Sequence, residues 1–269
     1  MRRYLRNART RVSTFGPLYA VIAPLRRAAE ITQLRAERRL LEIEGERGVL
    51  GPAHAAWQDH APGVNKEHWG GWDWDRRGEE WNLSAAWKQG LIDDVLLATI
   101  PAGGTVLEIG PGAGRWTEVL FPRADRMIVV DLDERILARC REALGNPPGV
   151  VYLLTPGSSL AQVDDATVDA IWSFDAFVHI APVQQAEYMA EIARVLTPGG
   201  VAAIHHADGR DQGFHASRRG WRAPMTATLF AALAREHGLV VDRVIRSWSG
   251  GRHDLAAYQD AISVLEKVA

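Results

Sequence analysis

Cysteine is nearly absent from this sequence, and so are the long apolar runs that cross membranes. The single cysteine, Cys140, excludes an intrachain disulfide framework and a cysteine-rich metal site. No stretch approaches the ~20 consecutive apolar residues of a membrane-spanning helix. The longest N-terminal apolar stretch, Leu18 to Leu25, is broken by proline, and no small-residue cleavage site follows it. We therefore expect a cytoplasmic protein without a transmembrane segment.

A strong overall charge is also missing, because 31 basic and 33 acidic side chains give a net charge of -2. The molecule as a whole is therefore not a polyanion binder, and we expect no nucleic-acid partner. The charge is nevertheless uneven, since residues 1–40 hold ten arginines and two glutamates, a net charge of +8. This basic arm is either a solvated helix or a contact for an anionic membrane surface, for a nucleic acid or for the acidic body of a second subunit.

The chain has 269 residues, of which 47% are apolar and 24% charged, enough for one α/β domain with an extension. Tryptophan is concentrated in one part of that extension, at Trp57, Trp69, Trp72, Trp74, Trp81 and Trp87. These indoles either pack the segment onto the main domain or present flat faces to sugar rings and planar ligands. We predict that residues 45–90 are a loop-rich segment that covers the substrate, with Trp72 and Trp74 as contacts.

From residue 104 onward, strand-like and helix-like segments alternate, which indicates βαβ units and a parallel sheet. The predicted strands are 105–109, 127–130, 150–154, 168–173, 201–205, 239–247 and 261–268. The predicted helices are 26–44, 84–99, one ending near 120, 134–144, 184–196 and 226–237. The last two strands have no helix between them, so we expect an antiparallel final pair.

A strand, a glycine-rich turn at 110–114 and a helix follow one another, an arrangement that lets a ligand approach the backbone and free N–H groups. Asp131 ends the next predicted strand, where a carboxylate can accept both hydroxyls of a ribose. The dinucleotide fingerprint requires glycine or alanine where this sequence has Arg115. A carboxylate at Glu108 would also repel a pyrophosphate, so the turn favours a cationic ligand with an amino group.

The segment from Glu108 to Gly114 resembles motif I of the class I S-adenosylmethionine-dependent methyltransferases. Further segments resemble later family motifs in order: Asp131 the ribose-binding acid, Gly157 to Ser159 the adenine-side pair, Val168 to Asp175 the fourth-strand motif, and Arg194 to Gly200 the turn before strand five. Ser158 departs from the usual aspartate of the adenine-side pair, so backbone N–H groups would supply part of the adenine contact.

The resemblance implies an α/β fold: a Rossmann-like, seven-stranded, mostly parallel sheet with an antiparallel last strand, over residues 91–269. Residues 1–90 would form an N-terminal helical and loop extension. The resemblance also implies S-adenosylmethionine as cofactor. It would be contacted by Glu108, Gly110, Gly112, Gly114, Asp131, Leu132, Ser158, Ser159 and Phe174.

Proton removal from a hydroxyl acceptor needs a base, and Asp175 and His179 lie one helical turn apart after the fourth strand. His179 is the leading candidate, oriented by Asp175, while His206 and His253 are the alternatives. The Asp175–His179 spacing also resembles part of a Glu-x-x-Glu-His metal site of some O-methyltransferases, although Val178 replaces its middle acid. A divalent ion such as Mg²⁺, held by Asp175, His179 and His206, therefore stays an alternative.

The predicted cleft is polar and carries stacking surfaces, to which Arg218 and Trp221 would contribute. This favours O-methylation of a sugar, a polysaccharide or another hydroxyl-rich metabolite. The alternatives are a methyltransferase for a small aromatic or amine metabolite and a non-catalytic S-adenosylmethionine-binding protein. The residues after strand four, Asp175-Ala-Phe-Val178, differ from the Asn/Asp-Pro-Pro-aromatic motif of base-methylating relatives. We expect a small-molecule or glycan acceptor, and a homo-oligomer stays an open alternative.

Overall fold

The computed structural model describes residues 60–209, 222–223, 225–256 and 258–268, together with seven helical positions between residues 22 and 36. The chain divides into two compact units, Met1–His54 and Ala55–Ala269. In the first unit, part of the helix predicted at 26–44 is described, and there the Thr32 hydroxyl donates to the Ala28 carbonyl at 2.7 Å. The rest of that helix, like Trp57, Arg218 and Trp221, lies outside the described residues.

Within the described part of the second unit, seven strands form one sheet in the order β3-β2-β1-β4-β5-β9-β6. They are β1 Thr105–Ile109, β2 Arg126–Asp131, β3 Val150–Leu154, β4 Val168–Ser173, β5 Leu196–Ala207, β6 Leu239–Ile245 and β9 Asp260–Lys267. A two-stranded hairpin of β7 Ser247–Trp248 and β8 His253–Asp254 lies between β6 and β9 in the chain.

The sheet is parallel from β3 through β5, and β9 then pairs antiparallel with both β5 and β6. The predicted Rossmann-like sheet with an antiparallel last strand is thereby confirmed. The final strand is inserted between its two neighbours rather than added at the edge. This insertion brings Asp260, at the start of β9, beside the carboxyl end of β5.

The helices follow the predicted alternation closely. They are α1 Pro62–Gly70, α2 Ala85–Leu91, α3 Thr117–Leu120, α4 Glu134–Ala143, α5 Pro182–Val195 and α6 Ala227–Glu236. The α2 helix continues through a π-helical stretch, Ile92–Leu96, into a last turn at Leu97–Thr99. Ser84, Asp133 and Thr226 cap α2, α4 and α6, because each side chain accepts a backbone N–H from the first turn.

Helices cover both faces of the sheet. On one face, Trp87 and Leu91 of α2, Leu120 of α3 and Leu137 of α4 pack with alternate strand residues such as Trp172. On the other, α5 and α6 contact each other, and Phe230 of α6 stacks on His206 of β5 at a ring separation of 4.0 Å. Because side chains alternate along a strand, His205 is on the first face and stacks on Phe174.

Strand β5 is longer than predicted. The sequence predicts that Thr197-Pro-Gly-Gly200 is a turn that closes the preceding helix, whereas the strand already begins at Leu196. Asp169 explains part of this, because its carboxylate accepts from the Thr197 hydroxyl at 3.2 Å and from the Thr105 N–H at 2.8 Å. Leu196 pairs with Val168 and Val201 with Ala170, so residues 197–200 form a bulge within the strand, with Gly199 at a φ angle of 80°. The bulge lies at the amino end of the sheet, away from the carboxyl ends of the strands.

Candidate active site

A cavity of about 380 Å³ opens at the carboxyl ends of the parallel strands, where ligands bind in open α/β sheets. Its floor includes Gly110 and Gly112 of the glycine turn, and Asp131 and Leu132 after β2. Residues of the segment 60–90, which we call the tryptophan segment, form the opposite wall. The side chains of that segment at the cavity are Asn65, His68, Trp69, Trp72, Trp74, Arg77, Trp81 and Trp87.

The glycine turn has the backbone form that a close approach requires. Gly110 and Gly112 have φ angles of 72° and 56°, in the left-handed region that favours glycine. A Cβ atom at Gly110 would lie 2.5 Å from the Cβ of Ala176, and one at Gly112 would lie 2.7 Å from Cζ3 of Trp74. Neither position has room for a larger side chain, because Ala176 packs on Gly110 and Trp74 packs on Gly112.

Asp131 is positioned to bind a ribose. It ends β2, lines the cavity, and is 8% exposed. Its Oδ1 accepts the backbone N–H of Asp133 at 3.0 Å. Burial raises the pKa of this carboxyl to about 7, although backbone hydrogen bonds from Asp133 and Leu132 oppose the shift. Hydrogen bonds from two sugar hydroxyls would favour the charged form and lower that pKa again.

Glu108, a predicted cofactor contact, does not reach the cavity from its position in β1. It is 1% exposed and is not among the described residues that line the cavity. Burial raises its pKa to about 7, while Thr117 and Arg115 oppose the shift. Its Oε2 accepts no hydrogen bond from a described residue. Gly114 is likewise away from the cavity and packs near Cys140, whose sulfur would lie 3.4 Å from an added Cβ.

The predicted adenine contacts, Ser158 and Ser159, also lie outside the cavity wall. The Ser158 hydroxyl is bonded to Glu187 in α5, and the Ser159 carbonyl accepts the Thr155 hydroxyl at 2.5 Å. Thr155 and Tyr188 line the cavity in their place. The Tyr188 hydroxyl donates to the Gly157 carbonyl, which fixes the loop after β3 against α5.

A chain of five polar side chains, which we call the charge chain, crosses the cavity floor: Arg115, Asp175, His205, Asp260 and Arg222. Asp175 contacts the Arg115 guanidinium and, at 3.3 Å, Nδ1 of His205. His205 Nε2 is 3.3 Å from Asp260 Oδ2, which is 3.1 Å from Arg222 Nη2. Burial opposes ionisation of Asp175, but Arg115 and His205 hold the pKa of its carboxyl well below its usual range. Asp175 is therefore a permanent anion and a poor base.

The sequence indicated a chemical role for neither Arg115 nor His205. In the sequence, Arg115 is only a mismatch to the dinucleotide fingerprint, and the candidate chosen from the adjacent pair His205-His206 is His206. The alternation of strand side chains shows that one histidine of the pair faces the cleft, but not which one. The structure places His205 there. Burial lowers the pKa of His205, the nearby carboxylates of Asp175 and Asp260 raise it, and the net direction is upward.

His206 points away from the cavity, so we correct its assignment as a base and as a metal ligand. Its Nδ1 is 2.8 Å from the Ala207 carbonyl, and its Nε2 is 2.8 Å from the Ser263 hydroxyl. Both ring nitrogens are thus occupied, and burial lowers the pKa of His206 to about 4. Among the residues that the structure describes, no group of three or more His, Cys, Asp or Glu side chains could hold a metal ion. The metal set of Asp175, His179 and His206 is not assembled.

His179 remains at the cavity, whereas His253 does not. The His179 ring lies 4.8 Å from the Trp69 ring, and the His179 backbone carbonyl accepts the Asn65 side-chain amide at 2.9 Å. The tryptophan segment therefore packs directly on this histidine. His253 lies in the β7–β8 hairpin near Trp248, and it is not among the described residues that line the cavity.

The walls of the cavity are mainly aromatic. Trp69, Trp72, Trp74 and Trp81 contact one another with ring centroids 5.6–6.4 Å apart. Trp72 and Trp74, the predicted substrate contacts, both line the cavity, and Phe174 does so from the end of β4. The cavity thus combines flat apolar faces with a floor on which the arginines are paired with carboxylates.

Comparison with known proteins agrees with this geometry. Residues 107–204 match the family model of a methyltransferase domain. A probable S-adenosylmethionine-dependent methyltransferase of Mycolicibacterium smegmatis is 33% identical over 103 residues, covering 38% of this chain and 38% of the relative. An O-methyltransferase of Mycobacterium bovis, described as putative in its name, is 29% identical over 120 residues, covering 42% of this chain and 51% of the relative. The chain thus matches about half or less of these relatives.

Among solved structures, the N-methyltransferase NodS of Bradyrhizobium japonicum, in complex with S-adenosyl-L-homocysteine, has a TM-score of 0.57 and 18% identity. The match covers 79% of this chain and 98% of NodS. At that identity the likeness shows the fold alone. This shared fold and the matched domain are both consistent with the methyltransferase motifs in the sequence. Residues 107–204 are thus similar to a methyltransferase domain, and the fold is one that NodS shares.

No helix in the described part of the chain combines the length and the apolar character needed to cross a bilayer. The cytoplasmic location and the domain boundary at residue 90 stay predictions.

Proposed function

We propose that this protein is an S-adenosylmethionine-dependent methyltransferase that methylates a hydroxyl group on an uncharged, ring-bearing small molecule such as a sugar. The observation that carries the proposal is the cavity itself. On one side it has the glycine turn and Asp131, and on the other it has His179 and four indole faces.

The residues present fit the cofactor. Asp131 would accept the ribose hydroxyls, Gly110 and Gly112 would let the backbone approach, and Leu132 would contact the adenine side. Glu108 does not line the cavity, but it lies two residues before the turn, and its ionised form would favour a cationic ligand through space. When bound, S-adenosylmethionine supplies an electrophilic methyl group on a positively charged sulfur.

The chain would hold the acceptor and take its proton. Aromatic faces would position the ring, and His179 would accept the hydroxyl proton on a ring nitrogen. The oxygen would bond to the methyl carbon as the bond from that carbon to sulfur breaks, with S-adenosylhomocysteine as the leaving group. His205 is not suited to that role, since Asp175 lies at one of its nitrogens and Asp260 at the other. Asp175 is held by Arg115, so we propose that it shapes the floor rather than removing the proton.

The pairing of charges at the cavity supports an uncharged acceptor. Among the described lining residues, Arg115 is paired with Asp175, Arg222 with Asp260 and Arg77 with Glu118. A charged acceptor would lose its hydration without gaining an unused partner from these residues. Aromatic faces also attract ammonium groups, so an amine acceptor is the competing class.

A matched series of ring compounds tests this proposal. Transfer of a labelled methyl group would be measured with glucose, glucosamine and glucuronate, which share one ring but are neutral, cationic and anionic. Phenol and benzylamine extend the series to aromatic rings. We expect methylation of a neutral member, whereas preference for an amine would move the function to N-methylation. Binding of S-adenosylhomocysteine with no transfer to any member would favour a non-catalytic binding protein.

A further inference from the structure

Two arginines join the tryptophan segment to the glycine turn. One extends from the segment to the turn, and the other extends from the end of the turn back to the segment. Arg77 of the segment donates from Nε to the Ala113 carbonyl and from Nη2 to the Gly114 carbonyl, both at 3.1 Å. Arg115, directly after the turn, donates from Nη1 to the Gly78 carbonyl at 2.9 Å and to Asn82 Oδ1 at 3.2 Å. We call this pair the arginine clamp.

The carbonyls that Arg77 holds belong to the turn that would carry the cofactor. In a turn whose N–H groups face a ligand, the carbonyl groups point elsewhere and need partners of their own. The guanidinium supplies two donors in a rigid plane, which fixes the orientation of both peptide groups at once. Arg77 is further held by Glu118 in α3, at 3.0 Å.

The backbone of the segment is shaped for this contact. Arg77 has a φ angle of 56°, in a left-handed conformation that non-glycine residues rarely adopt, and Gly78 follows with 83°. Such a conformation persists where the surroundings hold it, and here the clamp provides those contacts. The same bend exposes the Gly78 carbonyl to Arg115.

Trp74 is placed over the turn by this arrangement. The Trp74 indole N–H donates to the Trp69 carbonyl at 2.9 Å, and the edge of the indole packs on Gly112. Arg115 lies over the rings of Trp81 and Trp116, with its Cζ atom 5.5 Å and 4.8 Å from their centroids. The floor and the wall of the cavity are therefore tied at several points around one short turn.

We propose that Arg77 is a positioning residue that holds the glycine turn in its cofactor-binding form and seats the tryptophan segment on it, so that ordering of one orders the other. This inference rests on the proposed cofactor site. It adds that the cofactor-binding floor and the acceptor-binding wall form together.

Substitution of two adjacent arginines tests the clamp. Arg77→Lys keeps the charge but loses the two-pronged contact, while Arg76→Lys is the matched control at an exposed neighbour. By calorimetric titration with S-adenosylhomocysteine, we expect at least a tenfold loss of affinity for Arg77→Lys and less than a twofold change for Arg76→Lys. An affinity of Arg77→Lys within twofold of the wild type would overturn the proposal.

Hydrogen exchange separates this inference from the cofactor assignment. In the ligand-free protein, Arg77→Lys should speed exchange in peptides covering 69–82 and 110–118 together, while those covering β2 stay unchanged. Faster exchange in only one of the two peptides would contradict the coupling, whether or not the protein binds S-adenosylhomocysteine. If Arg77→Lys does not fold, the wild type suffices: added S-adenosylhomocysteine must protect both peptides, and protection of 110–118 alone would refute the clamp.

Discussion

Two carboxyl groups at the cavity, Asp175 and Asp131, differ in how readily they ionise because their neighbours differ. Asp175 is surrounded by Arg115 and His205 and stays charged, while Asp131 has no cationic partner among the described residues and is easily protonated. Asp131 is thus free to respond to a ligand. The sequence predicted both residues by position, but the partner of Asp175 could not be found from it, because Arg115 lies 60 positions away.

Replacing Asp131 should weaken cofactor binding without disturbing the fold. Asp131→Asn removes a charge-assisted acceptor, and each such hydrogen bond contributes about 1.5–3 kcal/mol, so affinity should fall roughly 10- to 100-fold. Calorimetry with S-adenosylhomocysteine measures the change, and the exposed Asp164→Asn is the matched control. Equal affinities for the two variants would remove Asp131 from the site.

The pH dependence of binding should follow the same residue. Because burial raises the pKa of Asp131 to about 7, the ligand-free site is protonated in mild acid and charged in mild base. Ribose hydroxyls bind the charged form better, so affinity should rise as pH increases through about 7. The affinity for S-adenosylhomocysteine would be measured from about pH 5.5 to about pH 8.5, which brackets this pKa. It should rise with pH in the wild type and change less in Asp131→Asn.

His179 should affect turnover rather than cofactor binding. Loss of a general base lowers rates by about a hundredfold or more, so His179→Ala should reduce turnover by at least that factor. Affinity for S-adenosylhomocysteine should stay nearly constant, and the exposed His237→Ala provides the control. Undiminished turnover in His179→Ala would assign proton removal elsewhere.

At the scale of elements, the strands could be predicted because buried parallel strands are short apolar runs. The sequence predicts a shorter β5, since Pro198 and two glycines resemble a turn. In the structure they form a bulge within the strand, opposite Asp169, whose carboxylate accepts the Thr197 hydroxyl. The insertion of β9 between β5 and β6 could not be predicted either. Sequence order shows that two strands follow one another, but not that the later one pairs with an earlier neighbour.

The α2 helix joins the tryptophan segment to the sheet through Trp87. This side chain is 4% exposed, its indole donates to the Asp254 carbonyl, and its own carbonyl accepts from Trp248, both at 3.2 Å. Trp87→Ala should therefore lower the free energy of unfolding by about 3–5 kcal/mol, as for other buried aromatic residues. Urea denaturation measures this loss, and the exposed Leu83→Ala should change it by less than about 0.5 kcal/mol.

At the scale of the whole molecule, folding is linked to protons on two buried carboxyls. The pKa values of Glu108 and Asp131 are both raised to about 7, whereas those of unfolded carboxylates are about 4. Between these values the folded protein binds more protons at these two groups than the unfolded chain, so their contribution to stability falls as pH rises from about 5 to about 7. His206, whose pKa burial lowers to about 4, contributes in the opposite direction.

Thermal unfolding of Glu108→Gln tests this linkage. Each raised carboxyl accounts for up to about 1.4 kcal/mol of lost stability per pH unit, so the variant should lose less than the wild type between about pH 5.5 and about pH 7. Saturating S-adenosylhomocysteine should offset part of the loss by binding only the folded form. Equal pH slopes for variant and wild type would contradict the assignment.

The partners of the whole chain remain predictions. Most of the basic arm lies outside the described residues, so membrane contact and self-association are still to be measured, for example by vesicle flotation and by sedimentation.

The buried position of Cys140 has a practical consequence for labelling chemistry. Its thiol is fully buried, and burial raises its pKa to about 12, so little of the reactive thiolate exists at neutral pH. A maleimide dye would therefore ignore the native cysteine and react with one introduced on the surface. A single fluorophore could be attached to a cysteine that replaces Arg76, beside the clamp, while Cys140 stays in place.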